Sequence, residues 1–341
     1  MPRMAGSAPR RLAWLALAAL ALVMTLGNVV SATGSGLGCP DWPLCHGRFI
    51  PPGGTEIWIE FRHRLGVPLF SALLVATAVV TLRRAESRLL RRVAVALLAL
   101  LAVQIVLGGV TVKLGLSAPV STVHLLTALT IMAGLLMIAA GGITDPLGSP
   151  SAAPRQATDP LGSPSAAPRQ ATDPLGSPSA APRQATALVR LARVGLPVLL
   201  GQLALGGYVR HSGAGLACPD FPLCSGDVLP GAGPPLIHWV HRWLGVLLLG
   251  LFLHVAMASR RTPLAGVGAA LGAVAVLQVA LGVAAVLMRL PVPVRAAHAA
   301  GGYALWGLLV WLALRSGVWR AGAGARADRE SAAARAPVRS R

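Results

Sequence analysis

The sequence carries little charge. Asp, Glu, Lys and Arg together make up 12% of its 341 residues, whereas about a quarter of the residues of an average soluble domain are charged. This deficit excludes an ordinary soluble enzyme of this length. The chain instead contains eight uncharged runs, each close to the about 20 apolar residues that cross a bilayer as a helix. The runs cover residues 12–31, 65–82, 93–112, 114–144, 194–209, 243–259, 262–288 and 296–314. They predict an all-α polytopic membrane protein with eight transmembrane helices.

Acidic residues are especially scarce, since 11 Asp and Glu stand against 30 Lys and Arg and give a net charge of +19. Such an excess could indicate nucleic-acid binding, but the positions of the cations argue against it. Twenty-two of the 30 lie in the N-terminal tail, in the loops after even-numbered spans, or in the C-terminal tail. Under the positive-inside rule, both termini are therefore cytoplasmic. We expect a multi-pass protein of the cell (cytoplasmic) membrane that contacts membrane lipid and no nucleic acid.

The sequence repeats itself once. The segment GLGCPDWPLC at 36–45 recurs as GLACPDFPLC at 215–224, and three further anchors follow in the same order. These anchors are His63 with His241, Gln104 with Gln278, and His124 with His298. They predict two tandem four-helix bundles, residues 12–143 and 187–316. Because each bundle has an even number of spans, the repeat is parallel and pseudo-symmetric.

The segment between the predicted bundles, residues 144–186, contains three identical copies of the 14-residue unit TDPLGSPSAAPRQA. Each copy has three Pro and almost nothing to bury, so we expect a disordered cytoplasmic linker. Residues 1–11 are predicted to form a cytoplasmic tail at the N-terminus. Residues 317–341 are predicted to form a disordered cytoplasmic tail at the C-terminus.

Cysteine is also rare. The four cysteines form two Cys-x5-Cys pairs, Cys39 with Cys45 and Cys218 with Cys224, in loops predicted to lie outside the cytoplasm. In an oxidising compartment such pairs favour disulfides across short loops. Zinc binding is the competing interpretation, but this spacing is unusual for zinc. Redox exchange at Cys39 and Cys45 is a further alternative to a structural role.

Four histidines are predicted at similar depth in the outer leaflet. His63 and His241 lie near the outer ends of spans 2 and 6, and His124 and His298 near those of spans 4 and 8. Polar residues inside a membrane are functional candidates. A pair of histidines on alternate helices of a four-helix bundle favours axial ligation of one haem per bundle. A metal site and a proton relay are the alternatives. Close backbone approach would be allowed by Gly108-Gly109, Gly206-Gly207 and Gly301-Gly302.

The halves differ beside the first histidine. Glu60 stands three residues before His63, and the aligned position in the second half is His238. A carboxylate on the same helical face as a haem-binding histidine could stabilise a developing cation or move a proton. The alternative is an ion pair with Arg62 or Arg64.

An arginine directly follows the first histidine of each half. Arg64 and Arg242 are candidates for bidentate contacts with haem propionates. The alternative is anchoring at the membrane interface.

Together these segments resemble the haem A synthase family. The matching pieces are EFRHR at 60–64, CPDWPLCHG at 39–47, GGYVRHSGAG at 206–215, CPDFPLC at 218–224 and HWVHR at 238–242. The resemblance covers all eight spans. It implies oxidation of the C8 methyl group of haem O to a formyl group, which gives haem A for terminal oxidases.

The resemblance also implies how the halves divide this work. Substrate haem would lie in the half with Glu60, His63 and His124, and cofactor haem b between His241 and His298. Haem O synthase and a quinol or other electron-transfer partner are candidate partners. Two other functions remain open at this point, a non-enzymatic di-haem b-type electron carrier and a membrane thiol-disulfide oxidoreductase.

Overall fold

The computed structural model of the chain describes residues 7–142 and 180–316, with the backbone alone for 180–186. Within these ranges the chain forms eight long helices and no β-sheet. The helices are α1 (Ser7–Thr33), α2 (Thr55–Arg84), α3 (Arg88–Lys113), α4 (Ala118–Ala140), α5 (Ala180–His211), α6 (Pro234–Ser259), α7 (Ala265–Leu287) and α8 (Val292–Ser316). All eight contain stretches long and apolar enough to cross a membrane, which confirms the predicted all-α fold with eight spans.

The eight helices form two rings of four. In the first, α1 to α4 contact one another in sequence and α1 also contacts α4; α5 to α8 form the second ring in the same way. The rings meet where α4 contacts α5 and α8, and where α1 contacts α8. The descent of the two rings from one repeated unit stays a prediction from the sequence.

The outer surface of the helices is apolar. Leu65 is 63% exposed and Leu247 is 71% exposed, a pattern that suits lipid tails and would promote aggregation in water. Deep burial occurs where the two rings meet, as at Ile131 and Leu135 of α4 and Leu309 of α8, which are fully buried. The molecule is therefore held together between its rings and is apolar towards its surroundings.

Two helices begin before the predicted bundles. Helix α1 begins at Ser7 and α5 at Ala180, whereas the predicted bundles begin at residues 12 and 187. A run without charge marks only the apolar part of a helix, so the bounds of the bundles stay predictions. Arginines lie in the first turns of α1, and Pro182 fits the first turn of α5, where backbone N–H groups have no intrahelical partner. Most of the predicted linker, 144–179, lies outside the described residues, as do 1–6 and 317–341.

Candidate functional site

Each of the four predicted histidines lies against a glycine of the preceding helix. The distance from a Cβ added at each glycine to Cε1 of the imidazole shows how close the ring lies. At three of the four glycines this distance is so short that a larger residue would displace the ring. The pairs, with the distance from that Cβ, are Gly27–His63 at 2.9 Å, Gly108–His124 at 3.4 Å, Gly206–His241 at 2.7 Å and Gly282–His298 at 3.1 Å. Gly27 and Gly282 are not among the residues predicted from the sequence. The repeat could have found them, because Gly27 aligns with Gly206 and Gly282 with Gly108.

Backbone carbonyls orient two of the rings. The Nδ1 atom of His63 lies 3.0 Å from the carbonyl oxygen of Val23, and that of His298 lies 3.1 Å from the carbonyl oxygen of Gln278. Because a carbonyl only accepts, Nδ1 carries the proton and Nε2 keeps its lone pair. This is the neutral tautomer that ligates a metal through Nε2.

The second-half pair fits a haem iron. The ring centroids of His241 and His298 lie 6.4 Å apart, which leaves room for one iron at the about 2.0 Å that imidazole nitrogens keep from a first-row metal. Nδ1 of His241 and Oε1 of Gln278 are buried beside this space without a hydrogen-bond partner. No group of three or more His, Cys, Asp or Glu that could hold a bare metal ion occurs in the described ranges. A haem fits this pair because its macrocycle supplies the remaining ligands.

The first-half pair differs in how its second histidine is held. Nε2 of His124 lies 3.3 Å from the side-chain nitrogen of Gln104, and its buried Nδ1 has no partner. The contact of His124 is therefore made to a glutamine side chain through Nε2, whereas the contact of His298 is made to a backbone carbonyl through Nδ1.

Glu60 is buried in an ion pair with Arg64. Its side chain is held where α2 begins, and the residue is 3% exposed. Oε2 accepts a hydrogen bond from the backbone N–H of Cys39 at 2.7 Å. Oε1 accepts from Arg64, at 2.5 Å from Nη2 and 3.1 Å from Nε. The structure therefore shows the ion pair that the sequence left as an alternative, and both carboxylate oxygens have partners.

Arg64 holds the loop between the first two helices. Besides Glu60, its guanidinium donates to the carbonyl oxygens of Cys39 at 2.6 Å, Asp41 at 2.8 Å and Leu44 at 2.9 Å. All five of its N–H donors are then engaged. The predicted propionate contact of Arg64 stays a prediction that these bonds do not support, because an external carboxylate would have to displace one of them.

Arg242 performs the same task in the second half. It donates to the carbonyl oxygens of Cys218, Asp220 and Leu223. Its Nε lies 3.3 Å from Nε2 of His238. The predicted propionate contact of Arg242 stays a prediction, since three of its five N–H donors bind loop carbonyls and one faces His238 on α6.

The two cysteine loops are closed by disulfides. Cys39 is joined to Cys45 and Cys218 to Cys224, and all four residues are at most 2% exposed. Burial at this level favours structural disulfides over thiol exchange with a partner. The peptide bonds before Pro43 and Pro222 are cis in these loops.

An aspartate also braces each loop. Asp41 accepts hydrogen bonds from the backbone N–H groups of His46 at 2.6 Å and Gly47 at 2.7 Å. The bond from Gly47 is the main reason why the pKa of the Asp41 carboxyl lies below its ordinary value. The equivalent aspartate of the second loop is Asp220, which accepts from Ser225.

Comparison with known proteins decides the family. Residues 10–310 match the COX15-CtaA family model, described as cytochrome oxidase assembly protein. The chain belongs to this family. It is 28% identical over 240 residues to a haem A synthase of Alkalihalophilus pseudofirmus, covering 69% of this chain and 71% of the relative. It is 27% identical over 306 residues to a haem A synthase of Bacillus licheniformis, covering 87% and 92%.

A part of this family member is also similar to another haem enzyme. Over 149 residues the chain is 32% identical to a protoheme IX farnesyltransferase of Halobacterium salinarum, covering 43% of this chain and 32% of the relative. The family resemblance predicted from the loop and histidine motifs is confirmed by the family model and by the haem A synthases that match over most of the chain.

Proposed function

We propose that this chain is a haem A synthase, an oxidoreductase that converts the C8 methyl group of haem O to the formyl group of haem A. The observation that carries the proposal is the histidine pair in each ring, with each imidazole against a glycine. The names of the relatives that match over most of the chain support the same activity.

The two halves take different haems in this proposal. Haem O binds between His63 and His124 as substrate, and haem b binds between His241 and His298 as cofactor. Haem b, when bound, supplies one-electron redox chemistry. The difference at residue 60 supports this division, because the first half has a buried carboxylate, Glu60, where the second half has His238.

Glu60 is the residue we propose to act on the reacting substrate. It lies one helical turn before His63, on the same face of α2, and the second half has His238 in its place. A buried carboxylate can stabilise positive charge that develops on the substrate, or accept a proton from it. Proton transfer requires Glu60 to exchange one of its present partners, Cys39 N–H or Arg64, for the substrate.

We further propose the orientation that the charge distribution predicts. Both termini lie in the cytoplasm, the cysteine loops lie outside it, and the bilayer is the cell membrane. Haem O synthase supplies the substrate, and a quinol or another electron-transfer partner exchanges electrons with the protein. The partial similarity to protoheme IX farnesyltransferase supports a close relation to the supply of haem O.

The experiment that tests the proposal is pigment analysis. The full-length chain is purified from cells that also make haem O, and the extracted haems are identified by mass. We expect haem b together with haem O or haem A, and haem A in the cells only when the chain is present. Haem b alone, with no haem A in the cells, would indicate a di-haem electron carrier instead. A protein without any haem would exclude both functions.

A further inference from the structure

A partly buried arginine lies at the junction of the two rings. Arg210, in the last turn of α5, donates from Nη1 to the side-chain oxygen of Asn28 and from Nη2 to its backbone carbonyl. Asn28 is 3% exposed and donates in turn to the carbonyl of Ala296 at 2.8 Å. Helices α1, α5 and α8 are therefore joined at one point, and the guanidinium is fixed there.

Arg210 has a positive charge without a counterion and a hydrogen-bond donor without an acceptor within the described residues. Its Nε is buried without a hydrogen-bond partner, and no carboxylate of the residues that the structure describes pairs with it. Both acceptors on Asn28 are neutral. A cation held away from water without a counterion is costly, and such residues in membrane proteins usually meet an anion.

A second arginine adds to this positive charge. Arg295, in the first turn of α8, is the neighbour in sequence of Ala296, whose carbonyl accepts the hydrogen bond of the same Asn28 side chain that Arg210 binds. The guanidinium of Arg295 has no hydrogen-bond acceptor or ion-pair partner within the described parts of the chain. Two neighbouring guanidinium groups without a carboxylate between them form a site for an anion, and the planar fork of arginine suits a carboxylate.

The two arginines flank the second histidine pair. Arg295 stands three residues before His298 on α8, and Arg210 stands four residues after Gly206, the glycine that His241 contacts. An anion bound by these arginines would therefore lie one helical turn outward from the imidazoles.

The first half has no such charges at the aligned positions. Matching Gly27 with Gly206 aligns Arg210 with Ser31, and matching His124 with His298 aligns Arg295 with Ser121. A serine hydroxyl offers a hydrogen bond but no charge. The second half is therefore equipped to retain an anionic ligand, whereas the first half can release one more easily, as a substrate site must.

We infer that Arg210 and Arg295 form a binding site for the carboxylate groups of the haem between His241 and His298. The inference rests on the proposed function, because it takes that ligand to be a haem. It replaces the propionate contacts that the sequence predicted for Arg64 and Arg242. The ligand class is a porphyrin with free carboxylates, anchored at one edge by charge and at its iron by two imidazoles.

The test compares haem b with its dimethyl ester, in which the propionates are neutral. Full-length protein produced without haem is titrated with each porphyrin, and binding is followed by the absorbance of the bis-imidazole complex. Wild type should bind haem b about tenfold or more tightly than the ester, since hydrogen bonds between charged groups contribute at least that factor. Arg210→Gln should weaken haem b binding by a similar factor and leave ester binding unchanged. Arg295→Gln should act in the same direction.

Two controls accompany these variants. Arg289→Gln removes an exposed cation after α7 and should leave both affinities unchanged, although the net charge falls equally. Arg210→Lys keeps the charge and should keep part of the preference for haem b. If Arg210→Gln does not fold, Arg210→Lys and Arg295→Gln still test the inference.

Each contrary result has a distinct meaning. An undiminished preference for haem b in both Arg210→Gln and Arg295→Gln overturns the carboxylate site and leaves the cofactor proposal standing. A preference that survives in His241→Ala and disappears in His63→Ala assigns the carboxylates to the first-half haem and also overturns the inference. Wild type that takes up neither porphyrin overturns the proposed function itself, and the inference with it.

Discussion

Glu60 and His238 hold equivalent places but differ in what they can accept. Each faces the N–H of the first cysteine of its loop and the Nε of an arginine. A carboxylate can accept both hydrogen bonds, whereas a neutral imidazole has a single acceptor nitrogen. The two contacts of His238 are accordingly longer, 3.3 Å each. The first loop is therefore held by a charge that the second loop lacks.

This difference makes Glu60→Gln informative. The variant keeps size but loses the charge, so we expect haem b to stay bound while haem O or a hydroxylated intermediate accumulates. Groups that act on protons or charge typically contribute ~10²–10⁴-fold to a rate, so haem A formation should fall by at least about 100-fold. Extracted haems, identified by mass, give the measurement.

Arg64→Gln separates a chemical role of Glu60 from a positioning role. It leaves the carboxylate in place but removes three bonds to loop carbonyls. If Glu60 acts on the substrate, Arg64→Gln should retain more haem A formation than Glu60→Gln. The reverse order would show that Glu60 matters mainly because it holds the cysteine loop.

Removal of either second-half histidine should remove haem b. We expect His241→Ala and His298→Ala to lose most of the b-type absorbance, because each leaves the iron with one protein ligand. His254→Ala is a matched control, since His254 lies on the same helix as His241 but on its exposed side. Normal haem b spectra in both ligand variants would contradict the assignment.

At the scale of elements, the four histidine sites share one construction principle. In each helix pair, α1–α2, α3–α4, α5–α6 and α7–α8, the first helix presents a glycine and the second presents the imidazole. The missing side chain lets the ring lie directly against the backbone of the neighbouring helix, as small residues do between membrane helices. The glycine therefore determines how far the imidazole stands from the middle of the ring of helices.

Gly206→Ala tests this arrangement. Its Cβ would lie 2.7 Å from Cε1 of His241, so either the imidazole or helix α5 must move. We expect weaker retention of haem b and a changed absorbance spectrum, with the protein still in the membrane. Gly201→Ala, on the same helix, meets nothing within 4 Å and should be neutral or slightly stabilising. Equal haem content in the two variants would exclude a role of Gly206 in placing His241.

At the scale of the whole molecule, the sequence predicts what depends on composition and repetition. Eight spans, two histidine pairs and two cysteine loops are visible because each leaves a pattern along the chain. The carbonyl partners of Arg64 and the position of Arg210 are not, because they depend on which helices pack together. Asn28 and Arg210 are 182 residues apart in the chain, and no local pattern joins them.

The two rings are held together by direct contacts between helices. The indole N–H of Trp306 in α8 donates to the carbonyl of Leu129 in α4 at 2.8 Å, and Trp14 packs against Trp311 with centroids 5.6 Å apart. Together with the Asn28–Arg210 contact, these interactions join α1 and α4 to α5 and α8. The relative position of the rings therefore need not depend on the covalent connection between them.

Shortening that connection tests this independence. Deleting two of the three 14-residue copies removes 28 residues, and we expect haem A formation to stay within a few-fold of the full chain. In the single copy that remains, eight residues precede the start of α5 and can reach up to about 26 Å when extended, and α4 and α5, which the copy joins, are in contact. The free energy of loop closure changes by only about 0.6 kcal/mol for each doubling of length. A Gly/Ser segment of the original length controls for the sequence of the repeats. If both variants insert normally and neither makes haem A, the repeats themselves take part in the function; if the deletion alone fails, the rings need the longer connection.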